Sequence, residues 1–217
     1  GYDPISNDFS FDGAIDEVMI FDGALSATEI AALYAAQSTA PVISDQLVAS
    51  YDFGGGLSDG TNFGNDASAS NVNFTTDRHG FGNSAVNLLG DSSSTITAAN
   101  SAQLNSDFTS VALWVKANTL PAQGEVFLAS FGGWQNRWKI SLPSHGKPVW
   151  TTNATAISDM DSGDGNVLTA GTWAHLAFVH DGVNDIIYLN GVQVAEKAVA
   201  GPLNATTASL GLGYNPI

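Results

Sequence analysis

Trp173-Ala174-His175-Leu176-Ala177-Phe178-Val179-His180-Asp181-Gly182-Val183-Asn184-Asp185-Ile186-Ile187-Tyr188-Leu189-Asn190-Gly191-Val192-Gln193-Val194 reads as two strands around a turn at Asp181-Gly182, followed by a second turn at Asn190-Gly191. Runs of Val, Ile, Phe and Tyr favour extended backbone, and Asp-Gly and Asn-Gly supply the positive φ that tight hairpin turns need. An isolated hairpin is barely stable in water, so this one requires a second sheet over its apolar face. The rest of the chain is expected to supply it.

Composition bounds that expectation. The chain has 217 residues, 44% of them apolar, enough for one large all-β domain or two small ones. Asp and Glu outnumber Lys and Arg by 21 to 6, for a formal charge of −15. That sign argues against nucleic acid or an anionic membrane as partner, because both would be repelled. Nearly all the acid is Asp, with Glu only at Glu17, Glu29, Glu125 and Glu196. Aspartate suits turns and hard-cation sites better than helices. Cysteine is absent, which excludes disulfides and thiolate metal sites. No apolar run approaches the roughly 20 residues of a membrane helix, so no membrane insertion is expected.

Gly1-Tyr2-Asp3-Pro4-Ile5 opens the chain and Gly213-Tyr214-Asn215-Pro216-Ile217 closes it, identical at four of five positions. The reading is a piece of a tandem array with a spacing of 212 residues, from residue 1 to residue 213, and neighbouring repeats as partners. Between these ends, Phe11 to Phe21 reads as a strand closed by Asp22-Gly23. Ser26-Ala27-Thr28-Glu29 has capping-box spacing, with Ile30, Leu33 and Tyr34 as the stripe of a short helix. Residues 38–46 read as a linker. A strand from Leu47 to Phe53 precedes a Gly/Asn/Asp loop over 54–66, and short strands follow near 84–89, 94–97, 109–116, 125–131 and 138–142. Residues 209–213 read as a last strand.

Tyr51-Asp52-Phe53 with its loop, Phe108 to Lys116, Gly171 to Phe178 and Ile187 to Gly191 resemble, in that order, the laminin-G-like, concanavalin A-like jelly rolls. Phe11 to Phe21 with Ala24 to Ile30 is similar to the closing strand and helix of the same family. The resemblance implies an all-β fold, a two-sheet antiparallel jelly-roll sandwich with one short helix near the N-terminus. In the family the closing strand comes last, whereas here it comes first. Residues 1–37 are therefore expected to complete a sandwich begun in 47–217, in a circularly permuted order and as a single domain. They do so either within their own chain or as a domain swap. An extended linker of about ten residues reaches roughly 33 Å, enough for the first arrangement.

The resemblance also implies candidate sites. Some members of the family are retaining glucanases, which need two carboxylates roughly 5 to 5.5 Å apart. No Glu-x-Asp-x-Glu pattern exists here, and His175 alternates with Trp173 and Ala177 as a packing histidine would. No enzyme is expected. Calcium is the cofactor implied, with Asp59, Asn62, Asn65 and Asp66 converging in the glycine-rich loop, or Asp16 meeting Asp52 between first and last strands. The alternative is that these residues cap turns. Ser158 to Asn166, containing Asp159, Asp161 and Asp164, resembles an EF-hand loop only superficially, because its spacing differs and no Glu stands at the twelfth position; it is read either as a calcium-organised binding loop with Asp164 as a metal ligand or as an acidic surface turn.

Trp134, Asn136 and Arg137, joined by Trp150, are candidate ligand contacts, with Asp159 and Asp161 on a neighbouring loop. Aromatic faces stack on sugar rings and amides bond hydroxyls, so such a group suits a glycan. Trp138, Trp114 and Trp173 are expected in the core. The resulting expectation is a secreted or cell-surface bacterial module that binds carbohydrate or another surface ligand, or a spacer repeat of an adhesin without a ligand.

Overall fold

The computed structural model describes residues 9–36 and 45–216. The first copy of the Gly-Tyr-x-Pro-Ile repeat, residues 38–44 of the expected linker and Ile217 lie outside the described residues.

Among the described residues the strands form two antiparallel sheets. The first is built from β3 (Ala67–Ser70), β6 (Thr95–Ala98), β8 (Glu125–Phe131), β9 (Trp138–Pro143), β10 (Val149–Asn153), β11 (Ile157–Asp161) and β15 (Leu210–Leu212). Its order is β11-β10-β9-β8-β15-β6-β3. The second holds β1 (Asp12–Phe21), β2 (Leu47–Tyr51), β4 (Asn73–Thr75), β5 (Ala85–Leu89), β7 (Thr109–Ala117), β12 (Ala174–His180), β13 (Asn184–Leu189) and β14 (Val192–Ala198). Its order is β14-β13-β12-β7-β1-β5-β4, with β2 also on β1. The hairpin that opened the sequence reading is β12 and β13, and Asn190-Gly191, with φ of 51° and 78°, turns the chain into β14.

Inward alternation makes one core. Ile15, Leu113, Val115, Leu176, Phe178 and Ile187 of the second sheet meet Leu128, Phe131, Trp138, Ile140, Trp150 and Leu212 of the first. β1 runs through the middle of the second sheet. It pairs with β7 on one side, and with β5 and then β2 on the other. A bulge at Glu17, φ 45°, shifts the register between Asp16 and Met19, so Ile15, Val18 and Ile20 point inward while Met19 and Phe21 point out. Just before β1, Phe127 N–H donates to Phe9 O at 2.7 Å in the first sheet and Phe11 N–H to Gly213 O at 2.8 Å. Residues 9–12 therefore step from one sheet to the other.

Helix α1 (Ala27–Ala35) covers the outer side of the second sheet. Its capping box is formed: Glu29 N–H donates to Ser26 Oγ at 3.3 Å, and Ser26 N–H to Glu29 Oε2 at 2.7 Å. Ile30 and Leu33 pack on Met19, Phe21, Ala112, Ala177, Val179 and Tyr188. Tyr34, the third member of the expected stripe, is largely exposed and stacks on Trp114, 5.7 Å between ring centroids.

Trp114 and Trp173 correct the expectation for the core, since β7 turns Trp114 outward, where it meets His175 and the Arg78 guanidinium at 4.6 Å. Trp173 is half-buried beside the Lys116 ammonium. Trp138 does belong to the core. A second, one-turn helix, α2 (Gly133–Asn136), stands between β8 and β9. No helix among the described residues is long and apolar enough to cross a membrane.

Candidate functional site

The outer side of the first sheet carries the candidate site. Along β9, Trp138, Ile140 and Leu142 join the core, so Lys139 and Ser141 lie on the opposite face. By the same alternation Thr151 of β10 and Asp159 of β11 share that face with Lys139, because Thr151 pairs with both. Glu125 and Phe127 come from β8, and Phe9 stacks on Phe127 with centroids 4.8 Å apart. Trp134 on α2 and Ile157 on β11 add apolar surface at the rim. Phe9, Glu125, Trp134, Lys139, Thr151, Ile157 and Asp159 together line an open groove of about 330 Å³.

Trp134 is 43% exposed on a one-turn helix flanked by the buried Gly132 and Arg137. Gly132 precedes it at φ 74°, and a Cβ there would meet Thr206 Oγ1 at 2.6 Å. Only glycine lets the chain turn this tightly against the 205–208 loop, and the turn lifts the indole outward. Below it the polar groups are tied together. Lys139 Nζ donates to Glu125 Oε1 at 2.6 Å, to Oε2 at 2.5 Å and to Ser141 Oγ at 3.1 Å. Thr151 Oγ1 donates to Asp159 Oδ1 at 2.5 Å. A flat apolar face beside fixed acceptors is a surface that a polyhydroxylated ring fits.

The structure joins Trp134 and Asp159 in this groove and separates the other expected contacts. Trp150 is fully buried, packed between Trp138 and Phe178, because β10 alternates and turns it inward. Arg137 is also fully buried. Its guanidinium donates to Asn204 O at 2.8 Å and to Ser106 O, and burial brings it down to about 10. Asn136 lies on the other side of α2, beside a polar hollow with Ala205, Thr206, Thr207 and Ala208. Asp161 leaves the groove for Lys147, 3.0 Å away.

Most of the candidate calcium ligands are engaged in hydrogen bonds within the protein. Asp59 Oδ1 accepts from Ser50 N–H and Thr61 N–H, and Oδ2 from Thr61 Oγ1 and Asn65 N–H. Burial opposes ionisation of this carboxyl, yet those donors outweigh it and hold Asp59 below the usual carboxylate range. Asn65 gives its amide to Val48 O, Asn62 is exposed, and Asp66 accepts from Asp59 N–H. Asp16 and Asp52 are held apart in function: Asp16 pairs with Arg78 at 3.1 Å, and Asp52 accepts from Gly54 N–H. In the EF-hand-like stretch, Ser158 to Asp161 is strand, and the Lys147 ammonium sits between Asp161 and Asp164 where a metal would have to go. Among the described residues no group of three or more acidic, histidine or cysteine side chains is placed to hold a metal ion.

Sequence reasoning missed Phe9, Glu125, Lys139, Thr151 and Ile157 as groove residues. The available signal was Lys139 and Ser141 alternating with Trp138, Ile140 and Leu142, which marks one wet and one dry face. No signal named their cross-strand partners.

A family model described as the concanavalin A-like lectin/glucanases superfamily matches residues 89–216. Among solved structures, the binding domain of botulinum neurotoxin serotype G is 20% identical, with a TM-score of 0.62 over 78% of this chain and 43% of that one. This chain thus spans less than half of the neurotoxin chain. Domain 4 of AbnA, a GH43 extracellular arabinanase from Geobacillus stearothermophilus, in complex with arabinotriose, is 22% identical, with a TM-score of 0.58 over 77% of this chain and 83% of that one. At these identities the likeness is one of fold. No curated protein matches the chain.

Proposed function

This chain belongs to the concanavalin A-like lectin/glucanases superfamily, and on that premise we propose that it is a non-catalytic carbohydrate-binding module whose site is the groove beside Trp134. One observation carries the reading: the exposed Trp134 indole stands over a preformed polar floor on a rigid sheet. The arabinotriose bound to the arabinanase domain, a chain of the same fold, supports a glycan as the class of ligand. Catalysis has poor support in this geometry. Glu125 and Asp159 are the groove's carboxylates, and both are tied to neighbouring donors, Glu125 by both oxygens to the Lys139 ammonium and Asp159 by one oxygen to the Thr151 hydroxyl.

We further infer that residues 9–36 and 45–216 make one domain in permuted order, supplied in an array by neighbouring repeats, at a cell surface or in secretion. The central place of β1 and the Phe11 to Gly213 hydrogen bond support that order, as does a family match confined to the later part of the chain. The same strand can come from the chain itself or from a swapped neighbour. Weak single sites would gain strength by repetition.

Affinity electrophoresis and calorimetry against a panel of plant and bacterial oligosaccharides test the function. Trp134→Ala is expected to weaken binding about tenfold or more, which corresponds to about 1.4 kcal/mol, with thermal stability kept. A chelator is expected to leave binding unchanged. Binding that survives Trp134→Ala would remove the groove from the account, and a chain that binds no glycan would favour a spacer role.

A further inference from the structure

The groove is acidic because five of the six Lys and Arg side chains lie outside its lining and the sixth is paired within it. The sequence has six Lys and Arg residues in all, and each has a visible employment. Arg78 pairs with Asp16 and Glu17 on the second sheet, and Lys116 lies over Trp173. Arg137 is buried among carbonyls. Lys147 bridges Asp161 and Asp164, and Lys197 reaches the backbone carbonyl of Asp159 at 3.0 Å, outside the groove lining. Lys139 alone lines the groove, and its three protons are spent on Glu125 Oε1, Glu125 Oε2 and Ser141 Oγ.

What faces a ligand is therefore one neutralised ion pair and one further carboxylate. Asp159 is exposed, and one of its oxygens is occupied by Thr151. Ionised carboxylates accept hydrogen bonds and cannot donate them. The lining thus offers acceptors to sugar hydroxyls and a stacking face to a sugar ring. It offers no cation to a carboxylate or sulfate.

We propose that the groove selects uncharged glycans and excludes anionic ones, uronate-bearing or sulfated. The proposal rests on the reading of the groove as a glycan site. Selection works by rejection: the Asp159 charge, the chain's net charge of −15 and the lack of an unpaired ammonium in the groove lining all disfavour an anionic ring. Lys139 is the concealed element, since it holds a positive charge in the floor that only Glu125 keeps from a ligand.

The test compares neutral pentasaccharides of arabinose, xylose and glucose with a galacturonate pentasaccharide at low and at physiological salt. The neutral ligands are expected to bind at least about tenfold more tightly, with the gap narrowing as salt rises. Glu125→Gln frees Lys139 and is expected to raise galacturonate affinity by about tenfold relative to neutral affinity. Because that change also unpairs a buried lysine, Asp159→Asn serves as a second variant. Asp159 is exposed, so the fold is kept, and galacturonate binding is expected to rise there too. Equal or preferential binding of galacturonate by the native chain, lost on Trp134→Ala, would overturn the selectivity and leave the glycan site standing. Neutral binding indifferent to Trp134→Ala would instead overturn the site itself.

Discussion

Asp16 and His175 flank Trp114 across its two ladders, Asp16 on β1 and His175 on β12, on the outer side of the second sheet. Burial, with the Glu17 carboxylate beside it, pushes Asp16 up to about 7, the Arg78 guanidinium pulling the other way. Burial, with Arg78 nearby, brings His175 down to about 4. The folded chain therefore holds the Asp16 proton more tightly than the unfolded chain does, and its contribution to stability falls as pH rises from about 4 to about 7. His175 does the reverse, gaining as pH rises from about 4 to 6.5. Urea midpoints measured across this window should show the two opposing each other. Relative to the native chain, Asp16→Asn is expected to lose stability on acidification, and His175→Phe to gain it; parallel curves for all three proteins would contradict the assignment. The packing role of His175 was legible from its alternation with Ala177. The raised Asp16 was not, because Arg78 arrives from a loop 62 positions away.

At the scale of elements, strands rich in apolar residues were legible and polar ones were not. β7, β8, β9 and β12 stand where alternation placed them. β10 and β11 escaped, since Val149 to Asn153 and Ile157 to Asp161 carry Thr, Ser, Asn and Asp among few apolar residues, and 158–166 read as a loop. Those two strands bear the Thr151 and Asp159 half of the groove, which is why Trp150 read as a ligand contact and Asp161 as part of a metal loop. β1 was legible as a strand, and its central place gives a direct test. A chain beginning at Asp45 lacks Phe11, Ile15, Val18 and Ile20 from the core and exposes the edges of β7 and β5. It is expected to lose cooperative unfolding, and a peptide spanning residues 9–36 added in trans is expected to restore it. Undiminished stability of the shortened chain would show that β1 is dispensable.

Across the whole molecule the two sheets have unlike outer faces. The second is closed by α1 and by the Trp114 cluster, and the first is left open as a polar floor with an aromatic rim. Composition pointed to the acidic character and argued against nucleic acid, but it could not place six cations. Only the fold shows that Arg137, which beside Trp134 read as a sugar contact, turns into the interior and leaves the groove without it. Chemical-shift mapping with a neutral pentasaccharide locates the site most directly. The Trp134 indole N–H and the amides of Thr151, Ile157 and Asp159 are expected to move together in a saturable titration, with the Asp59 loop silent. Shifts confined to that loop or to residues 205–208, with Trp134 unmoved, would contradict the account.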